Sequence, residues 1–178
     1  MWTWITIVSG ILVLLFLTPL VVGRFLPKHF SAITKLRVGR APQDVWNAIG
    51  DFEQLPVSAR MHKGTERLPD VEGLPAWREN IGSSRIRIET IESNAPNRLV
   101  RQFQDEVVPM RMRMQYDIES VDGGSIVRCT ANGTIEDGTW HVPFFRFMIH
   151  VFGGAKAGQK QYLTSVARHF NETAKFLG

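Results

Sequence analysis

The chain has 178 residues, 44% of them hydrophobic and 21% charged, with a net charge of +4 and a pI near 9.6. One cysteine, Cys129, excludes an internal disulfide and any cysteine-rich zinc site. The basic residues form no dense run and accompany no zinc-finger, recognition-helix or RNP-type pattern, which argues against the nucleic-acid binding that such a pI would otherwise suggest.

The first charged side chain is Arg24, and everything from Trp2 to Gly23 is uncharged. About 22 residues at about 1.5 Å each make a helix of roughly 33 Å, enough for a hydrocarbon core of about 30 Å. A secretory signal wants a basic n-region and a small-x-small cleavage site. Met1-Trp2-Thr3-Trp4 and Thr18-Pro19-Leu20-Val21-Val22-Gly23 supply neither. A buried core helix is the other competing reading, and it fits less well. Arg24, Lys28, Lys35, Arg37 and Arg40 follow with no acidic residue before Asp44, the bias that keeps a flank cytoplasmic. The expected division is a transmembrane anchor over 1–24, a basic juxtamembrane linker over 25–31, and a soluble domain over 32–178 on the cytoplasmic side of a single-pass topology. Residues 44–139 hold 11 basic and 16 acidic side chains, whereas from Trp140 onward five basic residues face Glu172 alone. Both ends of the domain are therefore basic. Bases near anionic headgroups gain about 1 kcal/mol each, so a membrane-facing side is implied.

In the soluble part, residues 32–40 read as a strand, and Ala41-Pro42-Gln43-Asp44 opens a short helix that buries Val45, Trp46 and Ile49. A second helical turn is expected around Phe52 and Leu55, stopped by Pro56. Strands are then expected at 60–68, 75–80, 84–91, 98–104, 110–119 and 126–135. The clearest is Met110-Arg111-Met112-Arg113-Met114-Gln115-Tyr116-Asp117-Ile118-Glu119, which alternates without a fault. One wet face makes the sheet antiparallel. From Pro143 the period lengthens: Phe144, Phe147, Met148, Val151 and Phe152, then Tyr162, Val166 and Phe170, predict one long amphipathic helix, kinked rather than broken at Gly153-Gly154.

That order of elements, with Arg40-Ala41-Pro42-Gln43-Asp44-Val45-Trp46-Asn47-Ala48-Ile49-Gly50-Asp51 at the strand-to-helix opening, resembles the START-like, or Bet v 1-like, superfamily and its polyketide cyclase-like members. The resemblance covers residues 32–176. It implies an α+β helix-grip fold, in which a curved antiparallel sheet wraps around a long C-terminal helix with a cavity between them for an apolar ligand. The superfamily includes lipid carriers, hormone receptors, cyclases and quinone-binding chaperones, so the fold leaves function open. An N-terminal anchor departs from its usual pattern and favours a ligand or partner found at the bilayer.

Given that cavity, its wall is expected to be Ile86, Ile88, Met112, Met114 and Tyr116, with Trp77 and Phe103, on the sheet. On the helix it would be Phe144, Phe147, Met148 and Val151. Three methionines can line an adaptable pocket or plug an ordinary core. Tyr116 brings a hydroxyl and is the first candidate for a polar ligand contact. The histidines at 29, 62, 141, 150 and 169 show no metal-ligand spacing, and no metal or cofactor is expected. His150 and His141 could serve at a cavity mouth, though a solvent-facing role is the simpler reading. Glu79, Arg85 and Arg87 offer a polar network across strands. Gly153–Lys160 approaches a phosphate-binding loop, but Gln159 stands where lysine is required, which argues against nucleotide. No catalytic set emerges. Three functions stay open: a membrane-anchored binding protein for a lipid, quinone or polyketide-like molecule, a cyclase- or aromatase-type enzyme using Tyr116 and His150, and a ligandless tethered scaffold.

Overall fold

The computed structural model describes residues 2–53, 55 and 62–178. Its elements are α1 (Trp2–Phe25), β1 (His29–Val38), α2 (Pro42–Gly50), β2 (His62–Val71), β3 (Leu74–Ile81), β4 (Ser84–Asn94), β5 (Arg98–Asp105), β6 (Met110–Val121), β7 (Gly124–Ile135), α3 (Val142–Val151), α4 (Gly154–His169) and β8 (Lys175–Leu177). The strands form one curved antiparallel sheet in the order β2-β3-β4-β5-β6-β7-β1-β8. β2 to β7 are a run of hairpins, and β1 returns to pair with β7 along its whole length, His29 opposite Thr134 and Val38 opposite Ser125.

All seven strands expected from the sequence are present. β1 starts at His29, three residues early, and the short β8 against Lys35–Arg37 was not foreseen. α2 starts at Pro42, which fits a first turn where no N–H is needed, and buries Val45, Ala48 and Ile49. The expected turn after it is seen in the Leu55 amide donating to Asp51 O at 3.2 Å. Its continuation at Pro56 lies outside the described residues.

The alternation sorts the sheet's faces. Met114, Tyr116 and Ile118 of β6 point inward with Val127, Cys129 and Ala131 of β7 and Leu36 and Val38 of β1. They meet Val45 and Ile49 from α2 and Tyr162, Leu163, Val166 and Ala167 from α4. Each fully buried large aliphatic contributes about 1.5–3 kcal/mol, so this layer holds the fold together.

The single long helix is corrected. It is two helices, and Gly153 between them adopts φ +63°, a left-handed conformation that breaks the ladder and that only glycine takes without cost. The error has a geometric source. Phe144 and Tyr162 are eighteen residues apart, which is about five turns, so on one unbroken helix they share a face. The break removes that link. α3 turns Val142, Arg146 and Ile149 toward the domain, while Phe144, Phe147, Met148 and Val151 fall outside the main core. α3 packs against α1 so closely that a Cβ on Gly23 would lie 1.8 Å from the Pro143 carbonyl oxygen. Among the described residues one helix, Ile7–Phe25 within α1, is long and apolar enough to cross a bilayer.

Candidate functional site

Register places the inward side chains in rows across the sheet. Trp77, Ile88, Phe103 and Met112 form one row. Thr90, Arg101, Met114 and Ala131 form the next, followed by Leu99, Tyr116, Cys129 and Thr34. Arg101 thus occupies a position that alternation reserves for an apolar residue. It is 1% exposed and is the largest fully buried side chain among the described residues. Its guanidinium carbon lies 5.1 Å from the Phe52 ring and 5.2 Å from the Trp77 ring, a cation boxed by two π faces. Nη2 donates to Gly50 O at 2.9 Å, at the end of α2.

The remaining donors of Arg101, Nε and Nη1, find no acceptor within the usual distance and angle among the described residues. Among the described residues neither the Tyr162 hydroxyl nor Thr90 Oγ1 has a partner within the usual distance and angle, but Arg101 lies close enough to Tyr162 to pull the phenol's pKa down both by its charge and by hydrogen bonding. Tyr116 stacks obliquely on Tyr162 with centroids 5.8 Å apart, and its hydroxyl donates to Met114 Sδ at 2.7 Å. At the rim, fully buried Glu79 holds His62 Nδ1 at 3.1 Å from Oε1. On the far side Gln159 of α4 closes the layer. Thr34 Oγ1 donates to its Oε1 at 2.8 Å, and its Nε2 donates to Ala32 O at 3.1 Å and Cys129 O at 3.2 Å.

Burial pushes the Tyr162 phenol up to about 12 despite the opposing charge of Arg101, and pushes Tyr116 well above its usual value. Burial likewise pushes the Cys129 thiol up to about 12, partly opposed by its bond to Gln159. At neutral pH burial therefore keeps two phenols and a thiol protonated beside the guanidinium. Such a set can receive an oxygen acceptor such as a carbonyl, hydroxyl or carboxylate. A charged donor left unpaired in the interior costs about 1–3 kcal/mol or more, which an incoming oxygen would relieve. Among the described residues no group of three or more His, Cys, Asp or Glu is placed to hold a metal.

An alkaline titration reads this burial directly, because Tyr116 and Tyr162 are the chain's two tyrosines. With no exposed phenol, tyrosinate absorbance should stay flat through the ordinary value of 10 and rise only near 12 or on unfolding. A folded pKa raised above the unfolded one contributes stability that is whole below pH 10 and is lost as pH climbs toward about 12. A normal phenol titration in the folded protein would contradict the placement.

Of the residues expected to line a cavity, the structure brings together Trp77, Ile86, Ile88, Phe103, Met112, Met114 and Tyr116 on the inner sheet face, Ile86 and Met112 at its half-buried margin. It does not bring Phe144, Phe147, Met148 and Val151 to them. The α4 residues Gln159, Tyr162, Leu163 and Val166 stand there instead. His150 Nε2 is 2.9 Å from Pro27 O, at the exit of α1, and His141 stacks between Trp140 and Phe145. Glu79 turns inward to His62, while Arg87 pairs with Glu89 at 2.6 Å, so the proposed strand network divides between two faces. Arg101 was missed, although Leu99-Val100-Arg101-Gln102-Phe103 shows it two residues from apolar neighbours on either side, in their register.

No protein-family description and no curated protein sequence matches the chain. Solved structures do match. A START superfamily protein from Mycobacterium smegmatis is 12% identical with a TM-score of 0.58, covering 80% of this chain and 99% of that one. Protein CV1439 from Chromobacterium violaceum is 11% identical with a TM-score of 0.58, covering 78% and 94%. StfQ, a di-domain aromatase/cyclase of the steffimycin biosynthetic pathway, is 12% identical with a TM-score of 0.54, covering 82% of this chain and 52% of its own length. At these identities the likeness is one of fold, and the chain carries the START-like helix-grip fold that its sequence resembles.

Proposed function

We propose that the chain is a membrane-tethered binding domain for an apolar molecule with an oxygen-bearing head, of lipid, quinone or polyketide-like type. The molecule sits between the sheet and α4, with its oxygen on Arg101 and Tyr162 and its apolar body along Trp77, Ile88, Phe103, Met112 and Met114. Residues 1–24 serve as the anchor, 25–31 as the basic linker and 32–178 as the domain, on the cytoplasmic side. One observation carries the reading: a guanidinium buried among aromatic rings has two donors with no acceptor among the described residues, beside the buried Tyr162 phenol. The methionines favour it, since thioethers re-pack at low cost when a ligand enters.

The same donors would polarise a carbonyl in a cyclase- or aromatase-type reaction. Burial keeps the two phenols and the thiol protonated, so they are donors rather than bases, which favours holding a molecule over transforming it. The ligandless scaffold draws its support from the close-packed layer around Leu36, Val127 and Leu163, all fully buried.

Native mass spectrometry of the full-length protein, extracted gently in detergent, tests the reading. A stoichiometric co-purified molecule with an apolar body and an oxygen head is expected. Repeated recovery of the bare chain, with no uptake of added quinone or fatty acid, would leave the scaffold.

A further inference from the structure

We infer that α3 is a second membrane-contacting element, an interfacial helix lying in the headgroup layer beside the exit of α1. The inference rests on the reading of α1 as a membrane anchor and assigns α3 a role that the binding reading does not require.

The first observation is an uncovered apolar surface. Trp140, Phe144, Phe145, Met148, Val151 and Phe152 are all exposed, Trp140 at 71% and Phe152 at 65%. Six large apolar side chains within thirteen residues form a patch of the kind that marks an interaction surface. The outward stripe Phe144, Met148, Val151 follows the helical spacing i, i+4, i+7 and lies opposite the inward stripe Val142, Arg146, Ile149. Arg146 is the one formally charged residue of α3, and it is turned away from the patch. It is buried, with Nη2 at 2.8 Å from both Ile135 O and Asp137 Oδ1. The outer side of the helix therefore carries no fixed charge.

Position and charge identify what covers it. α3 is tied to the end of α1 at both of its own ends: Pro143 touches Gly23, and His150 reaches Pro27 O at 2.9 Å. If α1 crosses a bilayer, the stretch from Gly23 to Pro27 sits at the polar boundary, and α3 is held at that depth. The groove at the C-terminal end of α3 is lined by His150 and Lys156. Past Ile33 it meets a second groove bearing Lys35, Arg128, Lys156 and Lys160. No Asp or Glu among the described residues lines either groove. An apolar stripe with aromatics, bordered by cations at its C-terminal end and continuous with an apolar span, has the composition of a helix that lies in an anionic lipid surface. Trp140 at its start suits the same layer, where an indole keeps its ring in hydrocarbon and its N–H in water.

Spin labels on the full-length protein, reconstituted in vesicles of zwitterionic and anionic phosphatidyl lipids, test this. Single-cysteine positions are Met148→Cys and Val151→Cys on α3, Leu14→Cys on α1 and Ser93→Cys at the far end of β4. The native Cys129 is buried and stays unlabelled. The M148C and V151C labels should collide with dissolved oxygen several-fold more often than with a water-soluble nickel chelate, as the L14C label does, while S93C shows the reverse. The depth should increase with anionic lipid. If L14C reads as membrane-embedded but M148C and V151C behave like S93C, α3 is not interfacial and the inference falls while the anchor stands. If L14C is also wet, the anchor reading itself fails and takes the inference with it. Labels on α3 shielded from both reagents and broadened by neighbouring spins would assign the patch to a second copy of the chain, which equally overturns a lipid occupant.

Discussion

Arg101→Met should strip the protein of its co-purified molecule while leaving its melting temperature unchanged or higher. The guanidinium is fully buried and two of its donors have no acceptor among the described residues, so an apolar side chain of similar volume removes a desolvation cost that those bonds do not offset. Hydrogen bonds from a charged donor contribute about 1.5–3 kcal/mol each, so losing one weakens ligand retention by at least about tenfold. Methionine still packs between Phe52 and Trp77 but donates nothing. Arg101→Lys separates charge from geometry, because an ammonium lacks the planar fork that can serve Gly50 O and a ligand together. Native mass spectrometry and thermal unfolding on the same preparations decide it. An R101M protein that keeps its ligand would show that the guanidinium holds no bound oxygen, and one that collapses would show that it serves the fold.

The second large effect is structural. Gln159→Leu should destabilise the domain by about 3–4 kcal/mol, because it leaves the buried Thr34 hydroxyl without its partner, at about 1–3 kcal/mol, and removes the two bonds that its amide gives to the Ala32 and Cys129 carbonyls, at about 0.5–1.5 kcal/mol each. For a chain of this size that lowers the melting temperature by roughly 6–16 °C. Circular dichroism through a thermal ramp measures it. A drop below about 1 kcal/mol would mean that water replaces the amide and that α4 is held to β1 by its apolar contacts alone.

How much of this was legible in the sequence depended on whether the signal was local. The strand Met110–Val121 was evident because over residues 110–119 five odd-numbered polar side chains alternate with apolar or amphipathic ones, and such a pattern has one physical meaning when a sheet has a wet face. α1 was evident from the absence of charge before Arg24. The helix at 142–169 misled for a definite reason: a five-turn coincidence aligned Phe144 with Tyr162, and a single glycine torsion, invisible to periodicity, undid it. Arg101 was hidden by the opposite difficulty. Arginine normally marks the solvent face, and nothing near it in the chain reveals that Phe52 and Trp77 stand on either side. Glu79 reads the same way, an ionisable residue in an inward register whose partner, His62, belongs to another strand. In each case the missing knowledge was non-local.

The sheet order carries a consequence for synthesis. β1 pairs with β7, whose matching residues lie about a hundred positions later in the chain. At about 5–20 residues per second, β1 leaves the ribosome roughly 5–20 s before its partner exists. For that time its Phe30, Leu36 and Val38 have no sheet to enter, and closure waits on a distant contact of the kind that makes folding slow. A nascent strand with both edges bare is a target for chaperones or for stray pairing. This domain should therefore mature only after translation has passed residue 135.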